Sequence, residues 1–183
     1  MNNTALPKIS YRVKTILITA ICVGFFNCNT KDKEINKEPI ISTFYLIRHA
    51  EKDRTDSTNR DPELMQKGLD RAIRWAEVFD NVPLDAIYST DYQRTKMTAA
   101  PTSVKKDLTT QFYDPSNIDV DTFKSDHEGM NVLVVGHSNT TPDFVNKLIG
   151  QEKYDAIDDA DNTSLFIVKI VDSVATDIRL KIL

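Results

Sequence analysis

Cysteine is nearly absent from this chain of 183 residues, which holds only Cys22 and Cys28, both close to the N-terminus. Two cysteines placed there cannot form a disulfide framework for a folded domain or a Cys-x-x-Cys zinc site. The rest of the chain has no thiol, so cysteine-based catalysis is excluded from it. An excess of basic residues is also missing. The net charge is -4 and no long basic run follows residue 40, which argues against a nucleic-acid partner.

Glycine and proline are scarce, with five and seven residues, and no low-complexity tract or repeat is present. An apolar run of the roughly 20 residues that a membrane-spanning helix needs is lacking too. With 183 residues, 40% of them hydrophobic, the chain can bury one hydrophobic core but is too short for two domains of ordinary size. The composition therefore predicts a single globular domain.

The N-terminal segment differs from the rest of the chain. Residues 1–27 have three basic residues, no acidic residue and the apolar run TILITAICVGFF, which is the layout of a signal peptide. Cys28 and the polar segment after it resemble a bacterial lipoprotein signal, in which this cysteine carries the lipid. We therefore expect a signal peptide at 1–27, a flexible tether at 28–41, and export to the cell envelope with a membrane anchor through a lipid on Cys28. Simple secretion and an uncleaved anchor are the alternatives.

Short apolar runs alternate with amphipathic segments from residue 42 to the end of the chain. Strands are predicted at 43–47, 84–89 and 131–135, in TTQFYDP, and in SLFIVKIV and DIRLKIL. Helices are predicted to begin at Asp61-Pro62, at DYQRTKMTAAP with a disturbance at Pro101, and at Thr140, the last ending at Gly150. This alternation predicts an α/β domain at 42–183, a three-layer α/β/α sandwich with a mostly parallel central sheet.

Charged and imidazole side chains follow three of the predicted strands. Arg48 and His49 follow the first, Arg94 comes after the second, and His137 follows the strand at 131–135. In a parallel sheet, ligands bind at the carboxyl ends of the strands. The sequence therefore predicts that these four residues meet at one edge of the sheet.

Two arginines and two histidines point to phosphate chemistry. The planar fork of arginine matches phosphate oxygens, and a neutral histidine can attack phosphorus and carry the phosphoryl group. A metal site fits less well, because His49 and Glu51 have no second histidine at helical spacing to complete a ligand set.

The segments LIRHAEK, YSTDYQRTKMTA and VVGHSN resemble the signature segments of the histidine phosphatase superfamily, which has the phosphoglycerate mutase-like fold. ELMQKGLDRA is similar to the helix that follows its first motif, and the resemblance covers residues 43–150. It implies that His49 is the catalytic nucleophile, that Arg48 and Arg94 bind the phosphate, and that His137 completes the pocket as a catalytic and phosphate-binding residue. It implies neither a metal nor another cofactor.

The proton donor is where the chain departs from the pattern. Mutase-like relatives have a glutamate after the second motif, whereas DLTTQFYDPSNIDVDTF has none. Asp114 is the nearest candidate for a catalytic acid, although an Asp-Pro pair can equally form a turn. Glu51 is the second candidate, or it orients Arg48.

Smaller roles are expected for other residues of the motifs. Ser89, Asp91 and Thr98 are expected to shape the loop and the helix start, and Ser138 or Asn139 to hold the second histidine. His127 lies in the polar stretch KSDHEGMN and is expected in solvent.

The sequence therefore predicts a metal-independent phosphatase that hydrolyses phosphate monoesters or phosphoramidates through a phosphohistidine. The segment between Pro101 and the strand at 131 is too short for a large cap, so the expected partner is a small phosphorylated substrate or a phosphorylated side chain. Two alternatives remain open: a non-catalytic phosphate-recognition module anchored to a membrane, and a mutase-type phosphotransferase.

Overall fold

The computed structural model describes residues 38–183. The expected signal peptide, Cys28 and most of the expected tether lie outside the described residues. The first strand begins at Ile41, so the last residue assigned to the tether belongs to the sheet. Within 38–183, none of the helices has both the length and the apolar character needed to span a bilayer.

The described chain forms one sheet with helices packed on it. In chain order the elements are β1 (Ile41–Arg48), α1 (Gln66–Val78), β2 (Ala86–Ser89), α2 (Gln93–Lys106), β3 (Thr110–Phe112), α3 (Val120–Asp126), β4 (Asn131–Gly136), α4 (Thr140–Ile149), β5 (Ser164–Val171) and β6 (Val174–Lys181). The strand order is β3-β2-β4-β1-β5-β6. The first four strands pair in parallel, while β5 and β6 are antiparallel. The predicted α/β fold with a mostly parallel sheet is confirmed.

Apolar side chains fill the space on both faces of the sheet, since alternate residues of each strand point to opposite sides. On one face, Trp75 of α1, Phe79 directly after α1 and Ala99 of α2 pack on the strands. On the other face, Phe123 of α3 and Phe144 of α4 do so. Each large side chain buried in this way stabilises the fold by about 1.5–3 kcal/mol. The two buried layers explain why β1 and β4 are apolar almost throughout.

The register of the central strands brings their carboxyl ends into one row. Arg48, the last residue of β1, pairs with Gly136, the last residue of β4. On the other side of β4, Ser89 of β2 pairs with Val135. The residues that follow β1, β2 and β4 therefore start from neighbouring points of one edge.

Helix α1 begins later than predicted, at Gln66 rather than at Asp61. Lys52 and Leu64 form an antiparallel bridge, which keeps the segment before α1 extended. The carboxylate of Asp61 instead accepts a hydrogen bond from the backbone N–H of Gln93, 2.9 Å away at the start of α2. Asp61 therefore caps a different helix from the one expected.

One further expectation about a helix was wrong, and one short helix was not predicted. Helix α2 continues through Pro101 to Lys106, because a proline removes only one backbone donor and the neighbouring Ala99 and Thr102 are fully buried. The polar stretch after β3 holds the short helix α3, whose first N–H groups are capped by the side chain of Asp119.

His127 is buried, not in solvent, with 7% of its surface exposed. Its Nδ1 lies 2.7 Å from the carbonyl of Phe123 and its Nε2 lies 3.0 Å from the hydroxyl of Tyr88. Both ring nitrogens are thus satisfied inside the core, and His127 has a structural place outside the site.

Candidate active site

His49 follows directly on β1 and is fixed through its backbone. Its N–H donates to the carbonyl of Gly136 on β4, at 2.9 Å, and its own carbonyl accepts from the side-chain amide of Asn162, at 2.8 Å. The side chain is buried, with 4% exposed. Residues from two distant parts of the chain therefore hold this histidine.

The ring of His49 has a defined tautomer. Its Nδ1 lies 2.7 Å from the carbonyl oxygen of Ala50. A carbonyl can only accept, so Nδ1 must carry the hydrogen. Burial, opposed by the hydrogen bond to Ala50 and assisted by the charge of Arg48, lowers the pKa of His49 to about 3 and keeps the ring neutral. Nε2 therefore holds a free electron pair and makes no hydrogen bond to another described residue.

The second histidine lies beside the first. The ring centroids of His49 and His137 are 5.5 Å apart. Nε2 of His137 lies 2.9 Å from the hydroxyl of Thr90, which donates in turn to Thr95. Because Thr95 donates to the carbonyl of Thr90, the hydrogen of each hydroxyl is committed, and Thr90 accepts from Nε2–H of His137. This relay leaves Nδ1 of His137 as the nitrogen that a proton would join.

The turn that carries His137 is held by threonine rather than by the expected Ser138 or Asn139. The backbone N–H of His137 donates to the hydroxyl of Thr140 at 3.1 Å. Tyr92 adds an edge-on contact with the imidazole, at 5.0 Å between ring centroids. Burial, with smaller contributions from nearby arginines, lowers the pKa of His137 to about 4.

Arg48 is almost completely buried, with 2% exposed, and its guanidinium is bound by the loop before β5. Its Nη1 donates to the carbonyls of Asp158 at 2.9 Å, Asp159 at 3.0 Å and Asp161 at 3.3 Å. Its Nη2 donates to the carboxylate of Asp159 at 2.6 Å. Its Nε is buried and has no partner among the described residues.

Arg94 projects from the first turn of α2. Its Nη1 lies 3.3 Å from the carboxylate of Asp61, and its guanidinium lies 4.3 Å from the centre of the Tyr92 ring. Its Nε, like that of Arg48, is buried without a hydrogen-bond partner in the described part of the chain. Two buried guanidinium donors thus remain from which an anion can accept hydrogen bonds.

Hydrogen bonds through one hydroxyl connect the first two motifs. The backbone N–H of Ala50, next to His49, donates to the hydroxyl of Thr98 at 2.9 Å, and that hydroxyl donates to the carbonyl of Arg94 at 2.7 Å. Thr98 therefore shapes the helix start, as predicted. Ser89 is buried and bonds to the carbonyl of Thr90, while Asp91 forms a surface pair with Lys96.

Neither carboxylate considered as a proton donor is arranged for that role. Asp114 is exposed and its side chain holds its own turn, accepting from Ser116 N–H at 2.9 Å and from the Asn117 amide at 2.6 Å. Those hydrogen bonds lower its pKa, and it is not among the groups that shift either site histidine. The expectation that Asp114 joins the site is not supported, because the Asp-Pro pair forms a turn.

Glu51 pairs with helix α1 and not with Arg48. Its carboxylate accepts two hydrogen bonds from Arg71, at 2.9 Å from both Nε and Nη2, and lies 3.5 Å from Lys67. Burial acts to raise its pKa, but the bonds from Arg71 outweigh it and the pKa is lowered. A carboxylate held ionised in this way cannot readily supply a proton near neutral pH.

A cleft of about 540 Å³ opens beside His49. It is lined by side chains that sequence reasoning did not include, notably Lys52, Arg54, Asp159 and Asn162. Lys52 lies within the first motif and could have been noticed there. Asp159 and Asn162 lie more than twenty positions after β4, and no local pattern points to them. Among residues 38–183, no cluster of three His, Cys, Asp or Glu side chains could hold a metal ion.

Residues 44–115 match the model of the histidine phosphatase superfamily (branch 1), and a comparison with curated proteins finds no match. The fold is similar to that of the alpha-ribazole phosphatase from Shigella flexneri, with a TM-score of 0.61 at 16% identity, covering 76% of this chain and 96% of that one. It is similar to the protein histidine phosphatase SixA complexed with tungstate, with a TM-score of 0.60 at 13% identity, covering 76% and 96%. A phosphoserine phosphatase mutant from Entamoeba histolytica, in complex with phosphoserine, gives 0.59 at 13% identity, covering 74% and 94%. The predicted resemblance to the histidine phosphatase superfamily is thus confirmed, by the match over residues 44–115 and by a fold shared with solved phosphatases.

Proposed function

We propose that this protein is a metal-independent phosphatase that hydrolyses phosphate monoesters or phosphoramidates through a phosphohistidine on His49. The observation that carries the proposal is the tautomer of His49, whose Nδ1–H is bound to a carbonyl while Nε2 keeps its electron pair. A neutral imidazole held in this way is a competent nucleophile toward phosphorus.

The surroundings of His49 favour phosphoryl transfer. Phosphoryl transfer depends mainly on positioning and on compensation of charge at the phosphoryl oxygens. The unpartnered Nε groups of Arg48 and Arg94 supply donors, and His137 can donate from Nδ1 once a bound dianion raises its pKa. The cationic groups of the site repel one another, and a bound phosphate dianion relieves that repulsion.

The substrate class follows from the shape of the site. The cleft beside His49 is open, and the described residues that line it belong to the segments before α1 and before β5 and to the start of α1, and not to a separate cap. We infer that the substrate is a small phosphate ester or a phosphorylated side chain that reaches Nε2 of His49 from solvent.

Trapping the covalent intermediate tests the proposal. The protein is incubated with 4-nitrophenyl phosphate in the presence of a chelator, quenched in alkali and digested for mass spectrometry. We expect one phosphoryl group on the peptide that contains His49, steady release of nitrophenol, and loss of both in His49→Ala. In Arg94→Ala, turnover should fall on the order of a hundredfold, because a preorganised donor to the transition state is lost.

A histidine outside the site provides the matched control. His127→Asn should keep the phosphoenzyme, provided that thermal unfolding shows a folded variant. Phosphorylation at another residue, or full turnover in His49→Ala, would contradict the mechanism.

A phosphate-recognition module without turnover is the second candidate, favoured by one observation: the carboxylates of Glu51, Asp61 and Asp159 near the site are each paired with an arginine. For such a module, inorganic phosphate would raise the midpoint of thermal unfolding, while no phosphate ester or phosphoramidate would be hydrolysed.

We further propose that the domain is anchored to a membrane of the cell envelope through a lipid on Cys28. The support comes from the sequence of the N-terminal segment, with its basic start, apolar run and cysteine. Cells fed labelled palmitate should label the wild-type protein and not Cys28→Ala; equal labelling of the two proteins would end the proposal.

A further inference from the structure

The protonation of the leaving group has no assigned residue in this site. When the P–O bond of an alkyl phosphate breaks, the departing oxygen needs a proton, and a positioned general acid typically accelerates this step by about 10²–10⁴-fold. The carboxylates of Glu51, Asp61 and Asp159 are each bound to an arginine, and Asp114 is tied into its own turn. Asp53, which also lines the cleft, accepts a hydrogen bond within its own turn, and this bond lowers its pKa. The remaining candidates are the protonated groups of the cleft.

Lys52 is placed where such a group would have to be. Its backbone is fixed by the antiparallel bridge to Leu64, flanked by hydrogen bonds from Met65 N–H to the Glu51 carbonyl at 3.0 Å and from Asp53 N–H to the Glu63 carbonyl at 2.8 Å. The carboxylate of Glu51 is held by Arg71 on α1, whereas Lys52 lines the same cleft as His49 without such a partner among the described residues.

We propose that Lys52 is the general acid that protonates the leaving group. This role rests on the phosphohistidine mechanism proposed above and adds a second catalytic residue to it. Within the described residues, Lys52 forms no salt bridge, whereas the neighbouring Arg48, Arg54 and Arg94 each have a carboxylate partner.

The electrostatic surroundings of Lys52 favour release of its proton. Partial burial and then the charges of Arg54, Arg94 and Arg48 lower its pKa, while Asp159 acts in the opposite direction. Its charge is also among the cationic charges that lower the pKa of His137, after burial, Arg94 and Arg48. A lysine among arginines is the cation that gives up its proton, because a guanidinium stays protonated.

The proposed step balances in atoms and charge. The electron pair of His49 Nε2 forms the N–P bond while the P–O bond to the leaving group breaks, and the proton on Lys52 Nζ passes to the departing oxygen. The neutral amine of Lys52 then takes a proton from the attacking water as the new P–O bond forms and the N–P bond breaks. The products are an alcohol and inorganic phosphate, and His49 and Lys52 return to their starting states.

Two esters that differ in the leaving group test this role. Nitrophenolate departs from 4-nitrophenyl phosphate without a proton, whereas the alkoxide of benzyl phosphate needs one. In Lys52→Met, we expect kcat for benzyl phosphate to fall on the order of a hundredfold and kcat for the nitrophenyl ester to fall less than about fivefold. The retained nitrophenyl activity also shows that the variant is folded.

Two further variants separate proton donation from charge and from the general effect of a cation in the cleft. Lys52→Arg keeps the charge but does not release a proton, so it should lose benzyl phosphate hydrolysis as Lys52→Met does. Lys67→Met removes an exposed cation of the same cleft and should leave the ratio of the two activities unchanged.

Several outcomes would overturn the role of Lys52. They are full rescue by Lys52→Arg, equal losses on the two esters, or a wild-type protein that hydrolyses only the nitrophenyl ester. None of them touches the phosphohistidine mechanism, which stands or falls separately with the phosphoenzyme of the wild type and its loss in His49→Ala.

Discussion

Arg48 shows, at the scale of a single residue, how the empty site is held ready for an anion. Three backbone carbonyls fix its Nη1 and do not depend on a ligand. The carboxylate of Asp159, which is 65% exposed, binds its Nη2 and also pairs with Arg54. An entering phosphate meets this carboxylate as a competitor with the same sign of charge.

Asp159→Asn should therefore tighten substrate binding. Removing one negative charge next to the phosphate position should lower KM for 4-nitrophenyl phosphate about fivefold, which corresponds to about 1 kcal/mol for a solvent-screened pair. We expect kcat to stay within about threefold, because the carbonyls still hold Arg48. Steady-state kinetics with the nitrophenyl ester measure both values.

Asp158→Asn is the matched control for that change. Its carboxylate accepts from the backbone N–H of Ala160 at 2.8 Å and does not contact the guanidinium of Arg48. This variant should keep the wild-type KM. A rise of KM in Asp159→Asn would mean that its carboxylate positions Arg48 rather than competes with phosphate.

At the scale of an element, helix α1 packs closely against the segment that follows His49, because its first turn lies directly on that segment. A Cβ atom at Gly68 would lie 2.2 Å from the carbonyl oxygen of Glu51. The atom that it would meet belongs to the backbone and cannot rotate away. Only glycine lets α1 approach the catalytic segment this closely.

Gly68→Ala should destabilise the protein, although the same change inside a helix is usually stabilising by about 0.5–1 kcal/mol. Overpacking against a fixed backbone costs about 1–3 kcal/mol, and we expect the free energy of unfolding in urea to fall by an amount in this range. Turnover should fall as well, since Glu51 is two residues from His49. Glu77→Ala, at an exposed position of α1, should have almost no effect on either quantity, and a more stable Gly68→Ala would refute the close contact.

The elements that the sequence predicted well are those with a local signal. A few consecutive residues are enough to predict β1 and β4 from their apolar runs and α4 from its apolar face. The start of α1 was not predicted correctly, because Asp61 has the chemistry of a cap but lies next to α2 in space. The burial of His127 likewise depends on Tyr88, which is far from it in the chain.

The residues of the site likewise divide into those with a local sequence signal and those without one. Arg48, His49, Arg94 and His137 stand in short motifs at strand ends, so their common location could be inferred from the order of strands. The groups that hold them could not be inferred so easily. Thr90 follows β2 and contacts His137, which follows the neighbouring strand β4. The loop at 158–161 binds Arg48, which lies more than a hundred residues earlier in the chain.

The two buried histidines affect the stability of the whole molecule. In the unfolded chain a histidine has a pKa near 6.5, whereas burial lowers the pKa of His49 to about 3 and of His137 to about 4. Below about pH 6.5 the unfolded chain therefore binds more protons than the folded one. Stability is complete above that pH and falls as the pH decreases toward the folded values.

Between about pH 7 and about pH 5, the free energy of unfolding in phosphate-free buffer should fall by about 2 kcal/mol, after allowance for solvent at His137. The double variant His49→Asn/His137→Asn should lose most of this dependence. Urea denaturation at several pH values measures it. Carboxylates with lowered pKa values, such as Asp161, act only at lower pH, because an unfolded aspartate titrates near 3.9. An equally steep dependence in the double variant would contradict the assignment.

The position of β4 in the sheet has a consequence for the protein while it is being synthesised. This strand separates β1 from β2, and its last residue supplies the carbonyl that holds the backbone of His49. A growing polypeptide that has not yet delivered residues 131–136 lacks the strand that lies between β1 and β2, so His49 after β1 and Arg94 in α2 are not yet held together. Under the proposed mechanism, an immature chain therefore cannot hydrolyse phosphate esters before β4 is made.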